Sequence, residues 1–554
     1  MMPAWLRRYA TVWNFVLVSA FGVLFLLVLY PMSSIFYASF LHPETNVFSL
    51  DSYRKIFTKA FYLRCLGNSL FVSGLATLFS LLIGIPFGFF TARFHLPGKS
   101  VLRTLATLPL ILPTFIGAEA WLLLLGRNGL LTRLCQQVGI SIPTIYGWQG
   151  IVLVFTLQFF PFVFLLVSAA INSIDTSLEE SARNLGAGPW RVFRTVTLPV
   201  VTPAIVSGAL IVFYMSIENF GVPTIIGEEY KVLAEQAYSE FISEMGGNPS
   251  MAGALSMVLV SITLLVTVVQ KAWVERKSYA MSSLRPPEVR RLLPLAAAGI
   301  WLFCAGIVFI SLFPFLVVIV SAVTKTKGPV MYYGEFSLTN LANAFRVAPR
   351  PIFNSFFLST AATLIGMLFG LAVSYLVVRR RGPVAYVLDV ALMLPLVIAG
   401  TVLGIALAVT YNKGHIVLTG TWMILVLAYF IRKVPFSIRT TASLLRQIDA
   451  SVEEASINLG VPPFRSFLKV VVPIMLPGIV AGAIIMWVTT LAELSSTIVL
   501  YYGPWTTMTV QIFQYVGSGD FGPASAYGTI LIVSVLVPLF ILNKVLGKDL
   551  TSSL

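Results

Sequence analysis

The chain has 554 residues, 57% hydrophobic and only 11% charged, with a mean hydropathy of +0.89 and a formal net charge of +15. Soluble domains carry about 25% charged residues, so the composition excludes an ordinary soluble protein and marks an integral membrane one. Cys65, Cys135 and Cys304, like His42, His95 and His415, are scattered without metal-ligand spacing, and the cysteines read as small apolar fillers.

Arg7 and Arg8 precede an apolar stretch that runs from Trp13 past Tyr30, too long for a cleaved signal sequence and therefore read as a retained first helix. No formal charge occurs between Arg8 and Glu44, or between Arg291 and Lys325. A hydrocarbon core takes about 20 apolar residues per helix. On that measure spans are predicted at 13–35, 66–91, 104–126, 149–171, 200–222 and 251–273. A second set is predicted at 294–323, 354–378, 386–410, 421–445, 474–499 and 525–546. The expected fold is an all-α polytopic membrane protein of about twelve transmembrane helices. It divides into a first half over 1–273, a basic linker over 274–293 and a second half over 294–554.

Between spans four and five of each half the chain writes nearly the same polar phrase, "IDTSLEESARNLGAGP" from Ile174 and "IDASVEEASINLGVPP" from Ile448. Pro199 and Pro473 each follow thirteen residues after Gly186 and Gly460, and Pro203 and Pro477 follow four residues later. The chain is therefore a tandem duplication. Each phrase opens on an Asp/Ser/Thr cluster suited to an N-cap, places acids in the first turn and ends on a glycine. Pro189-Trp190-Arg191 and Pro463-Phe464-Arg465 then start a short second helix. A helix, a kink and a short helix with an exposed aromatic knob suit a docking surface better than an ordinary interfacial loop, because the whole constellation is kept twice.

With a cytoplasmic N-terminus, 23 of the 37 basic residues fall inside and 12 outside, with Arg432 and Lys433 left within a helix. The inside set includes Arg93, Lys99, Arg103, Arg379 to Arg381, Lys544, Lys548 and the linker "KAWVERKSYAMSSLRPPEVRR". The positive-inside rule favours this topology, with both termini and both repeated phrases in the cytoplasm. The net charge is then a topology signal, and nucleic acid is a poor partner. An even number of spans per half makes the halves parallel repeats about an axis along the membrane normal.

Glu180–Gly186 ("ESARNLG") and Glu454–Gly460 ("EASINLG"), each with a proline thirteen residues on, resemble the EAA loop of binding-protein-dependent (type I) ABC-importer permeases. The middle alanine is Ser181 in the first copy, and the last is Ser456 in the second. The resemblance covers both halves, as in a fused pair of permease subunits. It implies that the two loops couple to two copies of a nucleotide-binding ATPase subunit through Glu180, Ala182, Gly186, Trp190 and Pro199, and through Glu454, Ala455, Gly460, Phe464 and Pro473. It further implies that ATP and magnesium are bound by those partners and no cofactor by this chain. A solute-binding protein would dock outside, with "EEYKVLAEQAYSEFISEM" among the outer loops, and the chain would sit in a bacterial inner membrane. Two phosphate-binding look-alikes agree with that division: "RFHLPGKS" has Arg93 where the first glycine belongs, and "GSGDFG" at 517–522 lacks a βαβ setting.

Ionisable groups inside spans cost about 2.5–3.5 kcal/mol each and are functional candidates. Glu119, Glu218, Arg432, Lys433 and Glu493 are the candidates for the translocation pathway, and Asp389 reads as packing near the end of its helix. Glu218 and Glu493 occupy similar depths in the fifth span of each half. Gln158 of the first half stands opposite Arg432 of the second, beside a shared proline. Arg432 meets either an internal carboxylate or the substrate. "YFIRKVPFSIR", "ENFGVP" and "AELSSTIVLY" are similar to fused permeases for ferric iron, whereas related ones serve phosphonates or phosphorylated sugars. Glu218 and Glu493 suit a hard cation such as ferric iron, and Arg432 with Lys433 suits an anion. A twelve-helix secondary transporter is the competing class. Its acidic loop between spans two and three is absent from "RFHLPGKSVLR" and "VVRRRGPVAY", and it does not explain the doubled loop. A membrane-embedded enzyme would need a His, Asp or Glu cluster that the sequence does not display.

Overall fold

The computed structural model describes residues 4–43, 45–243, 247–275, 291–328, 330–379, 382–414 and 416–546. Most of the basic linker, together with Arg380, Arg381 and Lys548, lies outside the described residues. Every predicted span falls on helix, but not every one is a straight crossing. Among the described residues nine helices are long and apolar enough to cross a bilayer, and up to eleven if each of two bent pairs is one span. Trp422–Gln447 is long enough but carries Arg432, Lys433 and Arg439. It matches the tenth predicted span, 421–445, lowered in hydropathy by the charges that it brings to the centre.

The two bent pairs are the third span of each half. Lys99–Ile111 and Thr114–Gln137 meet at 101°, and Pro383–Leu396 and Gly400–Thr410 meet at 100°. The local cause is visible in the first: Leu112 precedes Pro113, which drives it out of the helical region to φ −76°, ψ 141°. In the second, Ile398 and Ala399 are extended before the helix restarts at Gly400. The fifth spans also differ from expectation. They run Pro189–Ile217 and Pro463–Leu491, so the short helix after each loop is the first turn of the re-entering span. A π turn joins the pieces at Phe193–Thr197 and Phe467–Val471, with the amides of Leu198 and Val472 reaching back five residues to Phe193 and Phe467. Pro199 and Pro473 have no N–H for the α-helical bond, and a π turn absorbs the mismatch. One small departure from an all-α chain is an antiparallel hairpin of Thr324–Lys327 with Val330–Phe336.

The halves interlock through their first helices. The helix over Trp13–Ser39 packs against Gly400–Thr410 of the second half, and the Tyr411 hydroxyl donates to Leu26 O at 2.7 Å. Pro294–Ala322 packs in return against Lys99–Ile111 and Thr114–Leu125 of the first half, and Trp301 Nε1 donates to Pro97 O at 3.1 Å. Trp13 stacks on Tyr375 with ring centroids 4.3 Å apart. Lipid offers little hydrophobic drive between helices, so such packing and interhelical hydrogen bonds hold the halves together. Large apolar side chains exposed along the outer helices, such as Phe71, Leu82, Leu302 and Leu368, are the face a hydrocarbon phase covers.

Candidate functional site

The repeated phrase builds the same object twice. Thr176–Asn184 and Ala450–Asn458 are helices whose N-caps, Asp175 and Asp449, each accept from the amide two residues on at 2.9 Å. That bond from Ser451 holds the Asp449 carboxyl below its ordinary value. Gly186 at φ +82° and Gly460 at φ +89° end the helices in the left-handed region, which costs glycine no Cβ clash. Ala187 N then reaches Ala182 O at 3.0 Å and Val461 N reaches Ser456 O at 3.2 Å, the 6→1 closure of a Schellman end. Glu180, Glu454 and Ala455 are exposed and Ala182 is half-buried. Leu185 and Leu459 are 88% and 85% exposed, Trp190 is 72% exposed and Phe464 stands out as well. Each loop thus presents an apolar knob on a capped helix, without a covering element among the described residues. Pro199 is half-buried and Pro473 exposed at the start of the re-entering spans.

The acids that hold the loops are their neighbours, Glu179 and Glu453, which the sequence reading passed over. Both are buried. Glu179 is ion-paired with Arg93 and accepts from Thr197 Oγ1 at 2.9 Å. Glu453 accepts from the Tyr375 hydroxyl and lies 3.7 Å from Arg379 Nε. The available signal was the identical position of these acids in both copies, 274 residues apart.

A second constellation lies where the broken spans meet. A cavity of about 250 Å³ is lined from both halves, by Pro113, Thr114, Glu218 and Asn219 and by Arg432, Lys433 and Glu493. Glu493 sits just past the end of Val472–Leu491 and is clamped by Arg432 Nη1 and by Lys433 Nζ at 2.8 Å. The Ser496 amide adds a bond at 3.2 Å. Arg432 therefore meets an internal carboxylate, one of the two readings the sequence left open. Gly400 makes room for it: a Cβ there would strike the guanidinium and come within 2.7 Å of Ser495 Cβ. Glu218 is different, because its buried Oε2 finds no hydrogen-bond partner among the described residues.

The local repeat corrects one pairing. Asn219, not Glu218, is the counterpart of Glu493, 274 residues earlier. Asn219 Oδ1 accepts from Val222 N at 3.0 Å just as Glu493 accepts from Ser496 N, in each case three residues on. Likewise Gln158 holds the position of Arg432. Its amide donates to the carbonyls of Pro109 and, at 2.7 Å, Leu112, which the break at Pro113 releases. Asn219 Nδ2 bonds Thr114 Oγ1 at 3.0 Å, and Tyr214 crosses to the second half to donate to Leu396 O. Non-helical backbone at membrane depth needs such partners. Gln158, Asn219 and Tyr214 are thus site residues that polarity inside apolar runs could have flagged.

Glu119 is not brought to the cavity. It is fully buried in Thr114–Leu125, accepts from Ser525 Oγ of the last span at 3.0 Å, and leaves Oε2 without a partner. Asp389 lies 3.4 Å from Arg439, a contact between neighbouring spans of the second half. Among the described residues no group of three or more His, Cys, Asp or Glu side chains could hold a metal ion. "GSGDFG" joins two helices without a strand, and so does the turn at Gly98.

A family model described as the inner membrane component of binding-protein-dependent transport systems matches residues 84–278 and again 362–552. The chain belongs to this family. It is an ABC-importer permease with the domain present twice in one polypeptide. The permease is 27% identical over 546 residues to the ferric transport system permease protein FbpB of Actinobacillus pleuropneumoniae, covering 96% of this chain and 78% of that one. It is 26% identical over 485 residues to the Fe(3+)-transport system permease protein FbpB 2 of Haemophilus influenzae, covering 86% and 89%. A shorter likeness, 36% over 217 residues, covers 38% of the permease and 92% of the molybdenum transport system permease protein ModB of Escherichia coli K12. Among solved structures, a chain of a bacterial ABC transporter involved in the import of alginate is 20% identical with a TM-score of 0.42, covering 50% of the permease and 98% of that chain.

Proposed function

We propose that this permease carries ferric iron through the cavity between its halves, driven by two ATPase subunits bound at the two loop helices. The observation that carries the pathway is the convergence of two broken spans on one cavity holding Glu218, Arg432, Lys433 and Glu493. Broken helices at membrane depth serve where they line a cavity. The identity of the cargo is supported by the ferric permeases that match nearly the whole chain and by Glu218, a hard oxygen ligand whose Oε2 has no hydrogen-bond partner among the described residues. Iron here is cargo, met in passing and not caged.

Glu180, Ala182, Gly186, Trp190 and Pro199 with Glu454, Ala455, Gly460, Phe464 and Pro473 are assigned to ATPase contact and to the hinge behind it. ATP and magnesium belong to those partner subunits, a solute-binding protein delivers cargo on the opposite face, and both termini lie in the cytoplasm of a bacterial inner membrane. Closure of the ATPase pair pushes the capped helices together and turns the pathway from inward- to outward-facing. Reconstitution in liposomes with the neighbouring ATPase tests the whole reading. ATP hydrolysis stimulated by an iron-loaded binding protein is the expected result, and Glu218→Ala should lower uptake while the ATPase stays bound. Failure of the ATPase to associate would end the reading.

An anionic cargo is the second reading, favoured by the two cations on the cavity wall and by the likeness to a molybdenum permease. Stimulation by a binding protein loaded with molybdate or a phosphorylated solute, and not with iron, would select it.

A further inference from the structure

The two loop helices share caps and glycines, yet their buried acids are tied into the membrane domain differently. The Glu179 carboxylate binds two other elements at once: Arg93 at the end of Ala60–Arg93, and Thr197 at 2.9 Å in the π turn of the re-entering span. Arg183 adds a contact at 3.7 Å. In the second copy the acid is met by the Tyr375 hydroxyl and by Arg379, which ends its span as Arg93 ends the first. Val471, with no side-chain hydrogen to donate, takes the place of Thr197. Among the described residues the Glu453 carboxylate therefore reaches only the span Arg350–Arg379, with Arg379 at 3.7 Å. Rings pack on both π turns, Phe193 on Phe89 at 5.5 Å in the first copy, but in the second no carboxylate bond among the described residues stands beside them. Phe467 packs on Tyr375 at 4.6 Å and on Trp13 of the first helix at 5.4 Å.

We infer that Glu179 and Glu453 are positioning residues that pass loop motion into the spans, and that transport depends more heavily on the Glu179 linkage. Charge-assisted bonds are directional and strong. The Glu179 carboxylate makes them to the incoming and the outgoing span at once, so the first loop and both spans move as one body, whereas Glu453 is tied to its incoming span. The second π turn lacks a carboxylate bond of that kind and its Phe467 also rests on Trp13, so the second loop gives part of its displacement to the Trp13 helix. This inference rests on the loops being ATPase contacts.

The test compares Glu179→Gln with Glu453→Gln in proteoliposomes containing the permease, its ATPase and the loaded binding protein, scoring solute moved per ATP hydrolysed. Glu179→Gln should lower that ratio about tenfold or more with hydrolysis retained, and Glu453→Gln less than about threefold, within the range of ordinary coupling energies. Thr197→Val, which gives the first copy the second copy's apolar turn, leaves the ion pair whole and covers the case that Glu179→Gln does not assemble. It should lower the ratio about threefold, whereas Val471→Ala changes it little. Equal falls from Glu179→Gln and Glu453→Gln, or an unchanged ratio in Thr197→Val, overturn the inequality. If the ATPase does not associate with the unaltered permease, it is the coupling reading that fails.

Discussion

The halves of this permease agree at their loops and disagree at their centre. At the loops, Asp175 and Asp449, Gly186 and Gly460, and the π turns before Pro199 and Pro473 superimpose in role. At the centre, Gln158 faces Arg432, Phe159 faces Lys433 and Asn219 faces Glu493 across the same 274-residue offset. The first half places neutral side chains at these positions, hydrogen-bonded at Gln158 and Asn219, and the second a buried ion triad. The duplicated scaffold stays alike at its loops and departs from symmetry at the cavity where the two copies meet.

The largest effect that would break this comparison lies at the triad. Arg432→Ala leaves Glu493 with one cation fewer in a water-poor site and should cost about 3–5 kcal/mol, read as a lowered unfolding temperature in detergent. Making the second centre a copy of the first, with Arg432→Gln, Lys433→Phe and Glu493→Asn together, should recover most of that loss while abolishing uptake. A triple variant no more stable than Arg432→Ala would show that the two centres do not share a scaffold. Next comes the close approach at the second break. Gly400→Ala drives a methyl into the Arg432 guanidinium and should cost about 1–3 kcal/mol, whereas Thr114→Ala at the first break should cost under about 1.5 kcal/mol, the loss of one modest hydrogen bond.

Smaller effects sharpen the likeness of the loops. Gly186→Pro with Gly460→Pro removes the left-handed end of both helices and should lower uptake at least about tenfold, as coupling energies of 1–3 kcal/mol predict. Insertion and ATPase binding should persist, and normal uptake would exclude a coupling role. The mildest change is at the caps. The Asp449 carboxyl is held below its ordinary value of 3.8 by the Ser451 amide. Its stabilisation is therefore complete above that value and fades as pH falls through the lower value of the folded helix. Amide exchange over 450–453 should quicken at such acid pH, and at neutral pH in Asp449→Ala. Asp175→Ala should match it over 176–179.

Much of this was legible before any coordinates. Composition and uncharged runs placed the twelve segments. The doubled phrase revealed the duplication, and cap residues and glycines bounded the loop helices to within a residue or two, because those signals act over three or four neighbouring positions. Tyr375 and Thr197 as partners of the buried acids were not legible, since each bond joins segments 78 and 18 residues apart. Nor was the place of Glu119, whose partner Ser525 is 406 residues away. Hydropathy counted Lys99–Gln137 and Pro383–Thr410 as plain crossings, because a bend of about 100° does not change how apolar the residues are.

The sequence by itself determined the membrane class, the two-fold internal repeat, the family and the two capped loops, all of which rest on composition and short-range pattern. Only the tertiary structure decided that Glu493, and not Glu218, neutralises Arg432 and Lys433, that Asn219 is the true counterpart of Glu493, and that the first helix of each half packs on the other. Those facts depend on which side chains meet once helices cross, and burial makes each meeting a matter of charge compensation that spacing along the chain does not encode.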